Sequence, residues 1–173
     1  MQKDFNLLIS CPRFHERDAT AEIWYLFSNI GVEDVKTELT PFPGLITAKT
    51  SHDPIESIKK LRKLIEEDPI FLRFVLKIIP IEVIIETTLE NIITIANEFG
   101  KRISERETFR ITLKKRRTAF DSQELIIKVA EFIDRTVNLT KPDRIFMIQI
   151  LGDITGISLL EPKDIISKAQ FPL

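Results

Sequence analysis

Lys114, Lys115, Arg116 and Arg117 are four consecutive cations, and no acidic residue stands between Arg110 and Asp121. They follow Phe109, Ile111 and Leu113, which alternate with Arg110 and Thr112 in the period of a half-buried strand. The apolar alternation stops at Leu113, so the expectation is a basic turn at the strand's end. A helix over 122–137 is expected next, with Asp121 or Ser122 as N-cap and Leu125, Ile126, Val129, Ala130, Ile133 and Val137 on one face. A strand, basic turn and helix in that order present cations and helix N-terminal N–H groups together, which is chemistry for phosphate. The same charges would also serve a solvated loop that keeps a sheet edge soluble.

Other chemistry is hard to assemble. His15 and His52 are the only histidines and Cys11 the only cysteine, which leaves no zinc site of ordinary composition. Cys11 and His15 share a loop, but nothing in the pattern orients the histidine, so a buried thiol and a surface histidine are expected. Glycine is scarce, with five in the chain, and Gly152 and Gly156 fall in a turn between strands, so no phosphate-cradling loop is present. Asp18, Glu22, Glu66, Glu67 and Asp68 read as helix-surface positions, not as paired carboxylates. The expectation is no catalytic residue, no metal and no cofactor, hence no enzyme on this chain alone.

Composition agrees with a soluble globular chain of one domain or two small ones: 173 residues, 43% hydrophobic and 29% charged. A net charge of -1 conceals an asymmetry. Residues 1–100 hold 11 of the 25 Lys+Arg and 16 of the 26 Asp+Glu, leaving 14 against 10 in residues 101–173. Any polyanion site is therefore expected in the second part. One cysteine precludes an internal disulfide and fits a reducing cytosol, and the charged start, Lys3 and Asp4, is unlike a signal peptide. No apolar run is long enough for a membrane span. A cytoplasmic protein is expected.

Along the chain, Phe5–Ser10 reads as a strand and residues from Asp18 or Thr20 to Ile30 as a helix burying Ile23, Trp24, Phe27 and Ile30. Val35–Thr40 and Leu45–Thr50 are strands around Pro41-Phe42-Pro43-Gly44. Asp53-Pro54-Ile55-Glu56 opens a helix with Ile55, Ile58, Leu61 and Ile65 inward, Pro69 stops it, and Phe74–Ile79 is the next strand. That order is βαββαβ, the split βαβ pattern of a ferredoxin-like fold. Thr87 and Glu90 read as a capping box for a helix ending at Gly100. Ile145–Leu151, apolar almost throughout, reads as a central strand, Ile157–Leu160 as the last strand, and a short helical tail follows. The expected fold class is α/β (α+β), with domains at 1–85 and 86–173. Trp24, Phe27, Phe71, Phe74 and Phe132 lie on or beside apolar stripes and are expected in cores. Phe42 and Phe120 lie in turns, and Phe120 could stack on a base or staple the following helix. Lys59, Lys60, Arg62 and Lys63 read as a solvated face that could extend a basic surface.

Several of these stretches, in order, resemble a THUMP domain: Arg110-Ile111 through Lys115-Arg116, Ser122 opening a helix, Val137-Asn138-Leu139, Pro142-Asp143, Ile148-Gln149-Ile150 and Gly156-Ile157-Ser158. Asn138 departs from a pattern that more often has Asp. The run Ile79-Pro80-Ile81 is similar to the join between an N-terminal ferredoxin-like domain and the THUMP domain in proteins that assist tRNA acetylation. The resemblance implies an N-terminal ferredoxin-like βαββαβ domain followed by an α/β THUMP domain. It implies a non-catalytic adaptor that binds tRNA and presents it to a partner, a tRNA cytidine acetyltransferase making N4-acetylcytidine, with neither membrane nor DNA involved. Lys114, Lys115, Arg116 and Arg117 would touch phosphate, supported by Lys101, Arg102 and Arg110. The alternatives are a THUMP subunit serving methylation or thiolation, and a protein–protein module that never touches RNA. A ferredoxin-like regulator of small molecules would need a dimer and a pocket.

Overall fold

The computed structural model describes residues 1–172. In chain order the elements are β1 (Leu7–Ser10), α1 (Glu16–Asn29), β2 (Lys36–Leu39), β3 (Leu45–Lys49), α2 (Pro54–Glu67), β4 (Lys77–Pro80) and β5 (Val83–Glu86). Then come α3 (Leu89–Gly100), β6 (Thr108–Arg116), α4 (Ser122–Ala130), β7 (Thr136–Val137), β8 (Arg144–Leu151), β9 (Ile154–Leu160) and β10 (Ile166–Ser167). They form an α/β chain of two compact units, one comprising Met1–Ile81 with the described residues from Lys163 on, the other Glu82–Pro162.

The first unit is an antiparallel sheet in the order β10-β4-β1-β3-β2. Its βαββαβ succession with β1 between β3 and β4 is the ferredoxin-like arrangement. Leu7 and Ile9 of β1, Ile46 and Ala48 of β3 and Ile78 of β4 meet Ile23, Leu26 and Phe27 of α1 and Ile58, Leu61 and Ile65 of α2 in one core. The helix start read at Asp53 holds: its carboxylate accepts from the N–H of Ile55 at 2.8 Å and of Glu56 at 3.2 Å, with Pro54 at the first position.

One side chain here departs from expectation. Trp24 is 54% exposed, because α1 turns only Ala19, Ile23, Leu26 and Phe27 inward and Trp24 falls outside that stripe. Phe42 lies in the turn where it was read, with its side chain buried. The boundary at 86–173 also shifts, since the chain returns from the second unit to the first. Ile166 pairs with Ile78 and is fully buried, and Phe171 joins the same core. Arg62 secures the segment: its guanidinium donates to the carbonyls of Lys163 (2.9 Å) and Ile165 (2.8 Å) and to Oε1 of Gln170 (3.1 Å), and lies over the Phe171 ring at 5.5 Å. A two-residue strand carries no periodicity to read, and the open edge of β4 recruits it.

The second unit is a mixed sheet in the order β5-β9-β8-β6-β7, with β6 parallel to both β8 and β7. Phe109, Phe146, Ile148, Ile150, Ile157 and Leu159 pack with Ile92, Ala96, Phe99, Leu125, Val129 and Ile133 of α3, α4 and their flanks. α3 is capped by Thr88, whose side chain accepts from Asn91 N–H at 3.1 Å, rather than by Thr87, which hydrogen-bonds Thr155. α4 ends at Ala130, short of the expected 137, and Phe132 beyond it is 38% exposed rather than core. Val137 fits a helical stripe by spacing, but Thr136 and Val137 are β-branched and take the open edge of β6 as β7.

Candidate nucleic-acid interface

β6 continues past Leu113, through the cations to Arg116. The reason lies in its partner: β8 runs unbroken to Leu151, and pairing satisfies its backbone groups residue for residue, Lys114 against Gln149, Lys115 against Ile150 and Arg116 against Leu151. The basic residues therefore stand on a strand, not in a turn. Arg110, Thr112, Lys114 and Arg116 line one face at intervals of about 7 Å, while Ile111, Leu113 and Lys115 belong to the face that α3 and α4 cover. Arg117 leaves the strand with φ +52, and the Gly152 N–H binds the Arg116 carbonyl at 2.9 Å.

The four cations are held differently. Lys114 is exposed, and its side chain makes no hydrogen bond or ion pair with a described residue. Lys115 is exposed with Nζ donating to the Phe120 carbonyl at 2.7 Å. Arg116 is half-buried, and its Nη1 donates to Oε1 of buried Gln149 at 3.1 Å. Burial pulls its pKa below the ordinary value, yet a guanidinium stays protonated at neutral pH. Arg110 is steered by Thr112 Oγ1 (3.3 Å) and the Leu139 carbonyl (3.2 Å). Asp121 caps α4 by accepting from Glu124 N–H at 2.9 Å, and Phe120 is partly buried against the core beneath, as a staple would be.

Lys101 and Arg102 lie elsewhere, in the connection that feeds the start of β6, a strand about 25 Å long from end to end. Arg102 is already engaged: it grips Glu82 through two hydrogen bonds of 2.8 and 3.1 Å, its guanidinium lies over Phe99 at 4.6 Å, and Glu82 also accepts from Leu159 N–H. Lys101 is exposed at the end of α3. The structure thus gathers Lys114, Lys115, Arg116, Arg117 and, along the strand, Arg110, and leaves Lys101 and Arg102 apart. Gln149 was missed by sequence reasoning, and its only signal is being the single polar residue in the apolar run of β8. Asn138, the departure from the pattern, accepts from the N–H of Thr140 (3.2 Å) and Lys141 (3.0 Å), which an Asp could also do.

Around Cys11 the setting disfavours nucleophilic chemistry. Burial, with Glu16 and Glu22 nearby, pushes the thiol up to about 11, which keeps it protonated at neutral pH. His15 binds Asp18 through Nδ1 at 2.9 Å and stacks on Phe74. Among the described residues no cluster of three His, Cys, Asp or Glu could hold a metal, and no helix is long and apolar enough to cross a membrane.

Residues 86–160, from the end of β5 to the end of β9, match the THUMP domain family. The chain carries a THUMP domain. Among solved structures, PH1313 from Pyrococcus horikoshii Ot3 is similar with a TM-score of 0.66 and 20% identity, over 95% of this chain and 55% of that one. TrmN from Thermus thermophilus gives 0.60 and 13%, over 91% and 46%. A 4-thiouridine synthetase, solved with RNA and bound ATP, gives 0.56 and 11%, over 95% and 42%. These likenesses are of fold and extend across both units. The chain spans about half the length of these structures. No curated protein matches it.

Proposed function

We propose that this protein is a tRNA-binding adaptor that holds its RNA for a modifying enzyme. The observation that carries the reading is the end of β6, within the stretch that matches the THUMP family: Lys114 and Arg116 stand on one face of the strand, Lys115 on the other and Arg117 just beyond its end, with Lys115 and Arg116 oriented by Phe120 and Gln149. A row of cations on a rigid strand reads backbone and shape, which is how structured RNA is recognised. The chain itself is proposed to be non-catalytic, its one thiol being protonated and its exposed His15 tied to Asp18. In line with the run at Ile79-Pro80-Ile81, the proposed partner is a cytoplasmic tRNA cytidine acetyltransferase. The likeness to a 4-thiouridine synthetase solved with RNA favours thiolation as the second reading.

Titration of unmodified tRNA across a salt series tests this, with wild type beside the Lys114/Lys115/Arg116/Arg117→Ala variant. The expected result is a steep fall of log affinity with log salt for wild type, and a slope shallower by about three in the variant, since each phosphate contact releases close to one counterion. Absence of tRNA binding at low salt would overturn the reading. Adding the protein to purified acetyltransferase and tRNA then tests the partner, with N4-acetylcytidine formation as the readout.

A further inference from the structure

In the first unit three loops converge on the start of α1. Gly44 comes so close to the 11–15 loop that a Cβ would meet the Cys11 carbonyl oxygen at 2.5 Å, and its N–H binds Glu16 Oε1 at 2.8 Å. Glu22 accepts from the N–H groups of Arg73 (2.8 Å), Phe74 (2.7 Å) and Val75 (3.3 Å). His15 stacks on Phe74 with ring centres 5.2 Å apart, and the Arg73 guanidinium lies 5.1 Å from the same ring. From this braced platform Phe14 projects into solvent, 93% exposed, with φ +71. A bulky side chain in the left-handed region is an outlier, and here nothing apolar rewards it.

The charges around Phe14 are as distinctive. Arg13, Arg17 and Arg73 are exposed, and none forms an ion pair with a described residue. The nearby carboxylates are occupied: Glu16 and Glu22 by backbone N–H groups, Asp18 by His15. Three arginines and three carboxylates balance in formal charge here, but the carboxylates are turned to backbone N–H groups and to His15 while the guanidinium groups of Arg13 and Arg17 keep their donors for solvent.

We propose that Phe14, Arg13, Arg17 and Arg73 form a second RNA contact that takes unpaired nucleotides, a base stacking on Phe14 and the flanking phosphates resting on the arginines. The inference rests on the RNA-binding reading above. An exposed aromatic with arginines beside it in the chain that form no ion pair with a described residue is a combination that suits single-stranded nucleic acid, since every base offers a π-face and every nucleotide a phosphate. Paired RNA would conceal the faces that Phe14 needs, so the ligand is unpaired.

The test uses the full chain with two probes, unmodified tRNA and an unstructured RNA oligonucleotide carrying one 2-aminopurine. Phe14→Gly is the informative variant, because glycine adopts a positive φ without strain. It should therefore melt no lower than wild type, which separates lost binding from lost folding. Wild type should change the 2-aminopurine fluorescence on binding. Phe14→Gly should abolish that change and weaken oligonucleotide binding about tenfold, and Arg13/Arg17→Ala should flatten the salt slope by about 1.5. If wild type binds tRNA but not the oligonucleotide, or if Phe14→Gly binds both like wild type, the inference falls while the adaptor reading stands. If wild type binds neither RNA, both fall, and the exposure of Phe14 belongs to a protein interface.

Discussion

Two basic runs of this chain look alike in sequence and are employed differently. Lys59-Lys60-Leu61-Arg62-Lys63 lies on α2 of the first unit, and Lys114-Lys115-Arg116-Arg117 ends β6 of the second. Arg62 spends its guanidinium on two carbonyls, an amide oxygen and an aromatic ring, all belonging to the returning C-terminal segment. At β6 the side-chain partners among the described residues are fewer, one each for Lys115 and Arg116 and none for Lys114, and they orient the cations without consuming their donors. A guanidinium has five donors, so the number already satisfied within the fold decides whether it can also bind a ligand. By that measure Arg102, with two bonds to Glu82 and a ring beneath it, belongs with Arg62.

The largest expected effect separates the two runs most sharply. Arg62→Ala should cost about 2–3 kcal/mol in urea denaturation, because several charge-assisted bonds to carbonyls are lost at once, and should leave the salt slope for tRNA unchanged. Arg62→Lys should recover little of the stability, since an ammonium cannot fork between two carbonyls. A variant at Arg62 that flattened the salt slope instead would break the comparison.

A smaller effect is expected at Gln149. Gln149→Leu removes the acceptor that holds Arg116 while keeping the volume of a buried side chain. Binding of tRNA should weaken about threefold, the loss from letting one positioned side chain move, with the melting temperature little changed. Unchanged affinity would mean that Arg116 needs no orientation.

The smallest effect extends the distinction to an anion. Asp34 accepts from Thr50 Oγ1 at 2.8 Å, from Ser51 N–H at 2.8 Å and from Ser51 Oγ, and these bonds lower its carboxyl from 3.8 to about 2. The folded-state pKa is depressed, so the stabilisation is fully present above pH 3.8 and is lost as pH falls through about 2. Acid titration of the melting temperature should show this fall in wild type and not in Asp34→Asn; equal profiles would remove Asp34 from the group of satisfied charges.

Much of the first unit was legible because its signals are local. The Asp53-Pro54 cap, the stripe Ile58, Leu61, Ile65 and the alternation Leu7, Ile9 each follow from a repeat of 3.6 or 2 that one segment carries alone. In the second unit the same reasoning placed Leu125 and Val129 inward, then overran the helix to Val137, since a four-residue spacing cannot announce that an open strand edge lies within reach. Trp24 shows the converse limit: its type suits a core, but its angular position on α1 faces solvent.

For the candidate site the division is similar. Sequence alone determined that four cations follow an alternating strand without an acid nearby, that the net positive charge lies in the second part, and that cysteine and histidine are too few for an ordinary zinc site. Only tertiary structure decided that β6 carries its pairing through Arg116, that Gln149 holds Arg116, that Arg102 is spent on Glu82, and that residues after Pro162 rejoin the first sheet. The physical reason is common to all four. Composition and periodicity are properties of one segment, whereas a donor is satisfied, or left to meet a ligand, by acceptors that folding brings from elsewhere in the chain.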